Sequence, residues 1–169
     1  MVDLDREALQ IAQQLVENIS AGGNKDDKKI KELENQFTKS LGILTESGVY
    51  ALFVYLLAKR KKEKRDGGAV NDPCHEILNG LFNALKGRGA LCATLGLNDN
   101  IPSLGVKPEE GDAKKVLDWV AVQVGDLGRL LLLRDFLLRT FTYGRYCAAA
   151  RKTELKAGSS EAGGGGVTP

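Results

Sequence analysis

What this chain of 169 residues lacks narrows its chemistry first. It holds a single histidine, His75. A histidine-based triad finds no charge partner at an evident spacing, and a histidine-rich metal site is excluded outright. The three cysteines, Cys74, Cys92 and Cys147, are odd in number, widely spaced and never in a C-x-x-C pair. That argues against a disulfide scaffold and reads as the reduced thiols of a cytoplasmic protein. Neither G-x-x-x-x-G-K-[ST] nor G-x-G-x-x-G occurs, so no phosphate-cradling loop is offered. Aromatic residues are 6% of the chain and nothing alternates with period two, which leaves a β-sandwich without material. The start of the chain lacks the basic-then-apolar pattern of a secretory signal. No apolar run reaches the ~20 residues of a membrane span, so no membrane contact is expected.

What is present is helical periodicity, and it centres on Thr45 to Arg65, TESGVYALFVYLLAKRKKEKR. Ten apolar residues run unbroken from Val49 to Ala58, apolar on every side of a helix and half the length of a membrane span. Such a helix is expected at the centre of a soluble core, with Thr45 as its cap and Glu46 at the positive end of its dipole. Its far end turns basic, because six of the seven residues from Lys59 to Arg65 are Lys or Arg, and Gly67-Gly68 then stop it.

Helices flank this segment on both sides. Leu4, Ala8, Ile11, Ala12, Leu15 and Ile19 make one amphipathic stripe, ended by Gly22-Gly23; Ile30, Leu33, Phe37 and Leu41 make a second. Asp72-Pro73 reads as an N-cap followed by N1, opening a helix that buries Ile77, Leu78, Leu81, Phe82 and Leu85. Ala90 to Leu95 gives one or two further turns, and Asn98 to Gly111 reads as a long loop. Asp112 opens a helix with Val116, Leu117, Val120, Ala121 and Val124 inward and Trp119 at its margin. Asp126 starts a long helix to about Lys156. The fold expected is therefore all-α, a single-domain bundle of about six helices over residues 1–157, with 158–169 a flexible, disordered Gly-rich tail.

Charge is unevenly spread although the net is only +2. Residues 1–40 carry −2, 41–65 carry +4, 66–128 carry −4 and 129–169 carry +4. On the last helix, taking about 100° per residue, Arg134, Arg145 and Lys152 lie within about 20° of one another. Phe136, Thr140, Tyr143, Cys147 and Ala150 lie opposite, while Leu138 and Phe141 share the cationic side and would suit a partner protein. A cationic stripe on an apolar-backed helix can track phosphates, and it can equally be a solvated face. The run Lys59–Arg65 has the same two readings, since cations also favour a helix C-terminus. Cys74-His75 reads as an ordinary helix-surface pair, and Glu109, Glu110 and Asp112 as a solvated helix start rather than a metal site. No catalytic residue, metal ligand or cofactor site is readable, so a non-enzymatic protein is expected.

Two segments carry a resemblance. SGVYALFVYLLAK resembles the Asn-Gly-Leu…Leu-Ala-Phe-Leu…Lys helix of the small subunit of type III-B CRISPR (Cmr) RNA-targeting effector complexes. Gly48, Val49, Phe53, Tyr55, Leu56 and Lys59 fall on that pattern, with Ser47 in place of Asn and Val54 in place of a small residue. LRDFLLRTFTYGRYCAAA is similar to the family's C-terminal helix, Arg134-Asp135 falling on its Arg-Glu and Arg145-Tyr146-Cys147 on its Arg-Phe-Ala. Thr142 stands where a Trp is usual and Gly144 where a Lys is usual, so the packing there must differ. The two segments cover somewhat under a fifth of the chain.

The resemblance implies a non-catalytic subunit present in several copies. These would stack along the backbone and large subunits of an RNA-guided antiviral complex, touching guide and target RNA and other copies of the same chain. Base pairing would carry the sequence, and the protein would bind phosphates. By charge, the candidate RNA-backbone contacts are Lys59, Arg60, Lys61, Lys62, Lys64, Arg65, Arg134 and Arg145; the family pattern reaches only Lys59, Arg134 and Arg145. Two alternatives stay open: a helical DNA-binding regulator, and a purely structural assembly subunit without nucleic-acid contact.

Overall fold

The computed structural model describes residues 2–20, 26–60, 72–97, 100–104, 109 and 111–161. Among these there are six α-helices and no strand: α1 (Leu4–Ser20), α2 (Asp26–Lys59), α3 (Pro73–Lys86), α4 (Gly89–Leu95), α5 (Asp112–Val124) and α6 (Leu127–Glu161). Helix starts follow local chemistry. The Asp3 carboxylate accepts from the amides of Asp5 and Arg6 at the head of α1. Asp72 accepts from the Cys74 amide, with Pro73 at N1 of α3. The Asp126 carboxylate accepts from the Arg129 amide at 2.8 Å and starts α6 where expected. Gly96, at φ 65°, closes α4 in the left-handed conformation that glycine adopts without strain.

The second and central helices expected from the sequence are one element, α2, and their boundary lies at Gly48 rather than Thr45. Thr45 lies within the helix, its hydroxyl donating to the Leu41 carbonyl. Gly48 has φ 87° and ψ −175°, which a residue with a Cβ adopts only under strain. That single break re-aims the chain. Before it, Ile30, Leu33, Phe37 and Leu44 pack against α6 and α1, Phe37 meeting Phe141 edge-on at 5.7 Å. After it, Val49, Leu52, Phe53 and Leu56 pack against α3 and α5. There Phe53, Phe82 and Trp119 form an aromatic trio with centroids 5.4–6.4 Å apart. Each such buried side chain contributes roughly 1.5–3 kcal/mol.

Several expectations are corrected. The second half of α2 is not buried all round: Tyr50, Val54 and Ala58 are exposed along one side. Trp119 is core rather than margin, because α5 lies against both α2 and α3. On α5, Ala121 is exposed and Gln123 buried. Cys74 and His75 are both buried, not surface residues. Leu97, Pro102 and Leu104 are also buried, so the described part of the long loop is tied to the core. Helix α6 continues through Gly158 to Glu161, past the expected start of the tail, and the remainder of that tail lies outside the described residues.

One helix among the described residues, spanning Asp27–Lys59, is long and apolar enough to cross a membrane by length and composition, contrary to the expectation of none. Its inward side chains belong to the core just described, but only 28% of its apolar window is buried, so the core accounts for part of that apolarity. The helix passes the length test because α2 runs on through the Gly48 break.

Candidate nucleic-acid interface

The basic end of α2 is built by burial on one side and solvent on the other. Leu56 and Leu57 point into the core, and Arg60, one turn on, continues that side. Its amide donates to the Leu56 carbonyl at 3.1 Å and its guanidinium turns inward to the Asp112 carboxylate, Nη1 to Oδ2, at 3.3 Å. The Arg60 side chain is 11% exposed and that of Asp112 1%. Asp112 Oδ2 also accepts from the Glu109 amide at 2.8 Å, and Lys115 Nζ stands 3.8 Å from Oδ1. Asp112 is therefore not the solvated helix start that was expected. It anchors the first turn of α5 to the last turn of α2.

The consequence for charge is direct. Arg60 is committed to an internal carboxylate, while Lys59 is exposed. Lys115, exposed, stands beside Asp112 at this end of the fold, and the exposed Lys114 precedes it on α5. Sequence reasoning missed these two, although they follow the acidic cluster directly as EEGDAKK; the signal was overshadowed by the carboxylates before them. Lys61, Lys62, Lys64 and Arg65 lie outside the described residues.

The stripe on α6 is not a free face. Taking about 100° per residue, the buried residues Leu133, Phe136, Leu137, Thr140, Phe141, Gly144 and Ala148 define an arc about 140° wide. Arg134, Arg145 and Lys152 sit about 100° from its centre, at the edge nearest α2. Arg134, half-buried, donates to the Thr45 carbonyl at 3.5 Å, and Lys152 pairs with Glu34 at 3.0 Å, both across to α2. The opposite edge is tied to α1: Asp5 accepts from Tyr143 at 2.7 Å and Arg139 at 3.0 Å. These bonds hold the Asp5 carboxyl below its ordinary range, the Tyr143 hydroxyl being the larger cause, and push the Tyr143 phenol up. Phe141 is buried and so cannot serve a partner, and Ala150, expected inward, is exposed.

Arg145 alone of the three is open to solvent, its guanidinium 5.9 Å from the centroid of the exposed Tyr146 ring. It follows Gly144, which lies beneath Phe37. Phe37 precedes the Gly48 break and Lys59 follows it, so the two accessible cations stand at separate halves of α2, Arg145 by the first and Lys59 on the second. The structure thus places Lys115 beside the Arg60–Asp112 pair, with the exposed Lys59 and Lys114 near it in sequence, and leaves Arg145 on another part of the surface.

Elsewhere the surface carries large apolar side chains. Val122 of α5 and Leu127, Leu131 and Leu132 of α6 are exposed, Leu127 by 70%. Among the described residues no group of three or more His, Cys, Asp or Glu is placed to hold a metal ion. Compared with known proteins, the chain matches no family model, no curated protein and no solved structure.

Proposed function

We propose that the protein is a non-catalytic subunit of a cytoplasmic RNA-guided, RNA-targeting effector complex, similar to the small subunit of type III-B CRISPR assemblies. It contacts RNA phosphates through the basic end of α2. The observation that supports this reading is the Arg60–Asp112 pair with Lys115 beside it and the exposed Lys59 and Lys114 next to its two members in sequence, where the chain enters Lys61–Arg65. Ammonium groups on flexible stems suit sequence-independent contact with phosphates, because base pairing between guide and target supplies the sequence. Arg145 is a second, separate contact. Arg134 and Lys152 serve the α2–α6 junction first.

The exposed Val122, Leu127, Leu131 and Leu132 favour a second reading, in which the chain is an assembly subunit and the lysines only solvate it. Salt titration of RNA binding separates the two. Replacing Lys59, Lys114 and Lys115 together by Ala is expected to weaken binding to unrelated single-stranded RNAs alike. The slope of log K against log salt should flatten by about 2, since each phosphate that is no longer neutralised accounts for ~0.7. Unchanged affinity and slope, with the helical spectrum intact, would refute the phosphate-contact reading and leave assembly.

A further inference from the structure

A cleft of about 490 Å³ opens between α1 and α3, on residues that the RNA reading does not use. Gln14, Leu15 and Asn18 line it from α1, and Gly80, Asn83, Ala84, Gly87 and Arg88 from α3 and its end, with Leu15 seated against Gly80. Its walls are primary amides, and their hydrogen bonding is already partly fixed. Arg88 donates to the side-chain oxygens of Gln14 at 3.3 Å and Gln10 at 3.5 Å. That leaves the amide protons of Gln14 as the groups on offer. Across the cleft, the Asn83 amide nitrogen donates to Asn79 at 3.0 Å, which leaves the Asn83 oxygen as an acceptor. The cleft therefore presents donors from one helix and an acceptor from the other.

Charge and shape narrow the ligand. The Arg88 guanidinium is neutralised by Glu7 at 2.6 Å, so nothing here attracts a polyanion. No aromatic ring lines the cleft to stack on a base or a sugar face. A neutral ligand with alternating N–H and C=O groups remains, which is the main chain of a peptide. Spacing agrees: Gln14 and Asn18 are four residues apart on a helix, about 6 Å, and an extended chain repeats every two residues at about 6.6 Å.

We infer that the α1–α3 cleft binds the main chain of an extended, uncharged peptide segment with small side chains, supplied by a partner protein. The segment lies along α1, accepting from Gln14 and Asn18 and donating to Asn83. Recognition of main chain rather than side chains makes it tolerant of sequence, as a repeated contact within an assembly requires.

The test uses the full chain and the blocked hexapeptide Gly-Ser-Ala-Gly-Ser-Ala, followed by the side-chain amide resonances of Gln14, Asn18 and Asn83. Millimolar peptide should shift these signals. The same peptide N-methylated at every residue, which has lost its main-chain donors, should leave them unmoved. Asn18→Leu and Asn83→Leu should each weaken binding about fivefold, the equivalent of one net hydrogen bond. Asn79→Ala, which frees the Asn83 amide without removing its oxygen, should retain binding. Absence of peptide shifts, equal binding of the N-methylated peptide, or retention in both Leu variants would each overturn the inference. Failure here leaves the lysines at the end of α2 untouched, because no residue is shared.

Discussion

Gly144 gives the sharpest test of the packing, because two opposing effects of known size meet there. It sits inside α6, where alanine is normally better than glycine by about 0.5–1 kcal/mol. A Cβ at this position would stand 2.7, 2.8 and 2.9 Å from three atoms of the Phe37 ring. Optimal carbon contact is about 3.5–4 Å, so the ring must retreat by about 1 Å. It has nowhere to go, since Phe37 is fully buried and held edge-on by Phe141. Overpacking of this kind costs about 1–3 kcal/mol and outweighs the helix gain. Gly144→Ala is therefore expected to destabilise by about 1 kcal/mol, lowering Tm by about 2–4 °C for a chain of this size.

Gly42 supplies the internal control. It lies inside α2 with nothing within 4 Å of its added Cβ, so Gly42→Ala should show the helix gain alone and raise Tm by about 2 °C. Thermal melts followed at 222 nm read both. The fluorescence of Trp119, the only tryptophan, reports whether the α2–α3–α5 half stays intact. In a Phe37→Leu background the penalty at Gly144 should vanish, an interaction that a double-mutant cycle isolates. If Gly144→Ala raised Tm as much as Gly42→Ala, the close approach of α2 and α6 at Phe37 would be refuted.

Two further outcomes follow from buried or half-buried charge. Arg60→Met should destabilise by about 3 kcal/mol because it strands the Asp112 carboxylate, whereas Arg60→Met with Asp112→Asn should recover most of that loss. Equal melting of the single and double variants would show that the pair does not join α2 to α5. The Glu76 carboxyl is pushed up chiefly by burial, with Lys29 opposing and Asp72 adding to the shift. A folded pKa raised above 4.5 means the protonated form is favoured in the fold. Its contribution is full below pH 4.5 and lost as pH rises through the folded value. Glu76→Gln, which stays neutral, should therefore stabilise at pH 7 by at most about 0.5 kcal/mol and make no difference at pH 4. Melts that differ equally at both pH values would contradict it.

Elements whose signals are local are legible in the sequence. Asp72-Pro73, the start at Asp126 and the stripes of α1 and α3 depend only on neighbours three or four residues away, and they stand where the sequence places them. Gly48 reads as part of a helix although it marks the break, because a glycine's φ is not written in its neighbours. Trp119 reads as marginal because its side of α5 is buried by two helices, and a single stripe along one helix does not reveal the second. Phe141 misleads for the same reason, with α6 covered by α2 and α1 on adjacent flanks. The position of Gly144 is legible as a departure from the family pattern, but its cause, the Phe37 ring, is over a hundred residues away.

The basic run shows how far charge counting carries a functional argument. As a string, Lys59 to Arg65 offers six equivalent cations. On the helix, Arg60 follows Leu56 by four residues and Leu57 by three, and both of those are core. A residue at that phase must point inward, and an inward charge needs a partner, which Asp112 provides at 3.3 Å. Lys59 lies about 90° from the middle of the buried arc, past its edge, and stays in water. The phase of each cation relative to the core residues before it therefore separates structural from available charge. The helix that supplies the inward partner also brings cations from elsewhere in the chain, here Lys114 and Lys115. The proposed contact at this end is better counted from side chains that water already reaches than from the length of the basic run, and by that rule Arg60, of the two described members, is the one whose loss should cost fold before it costs binding.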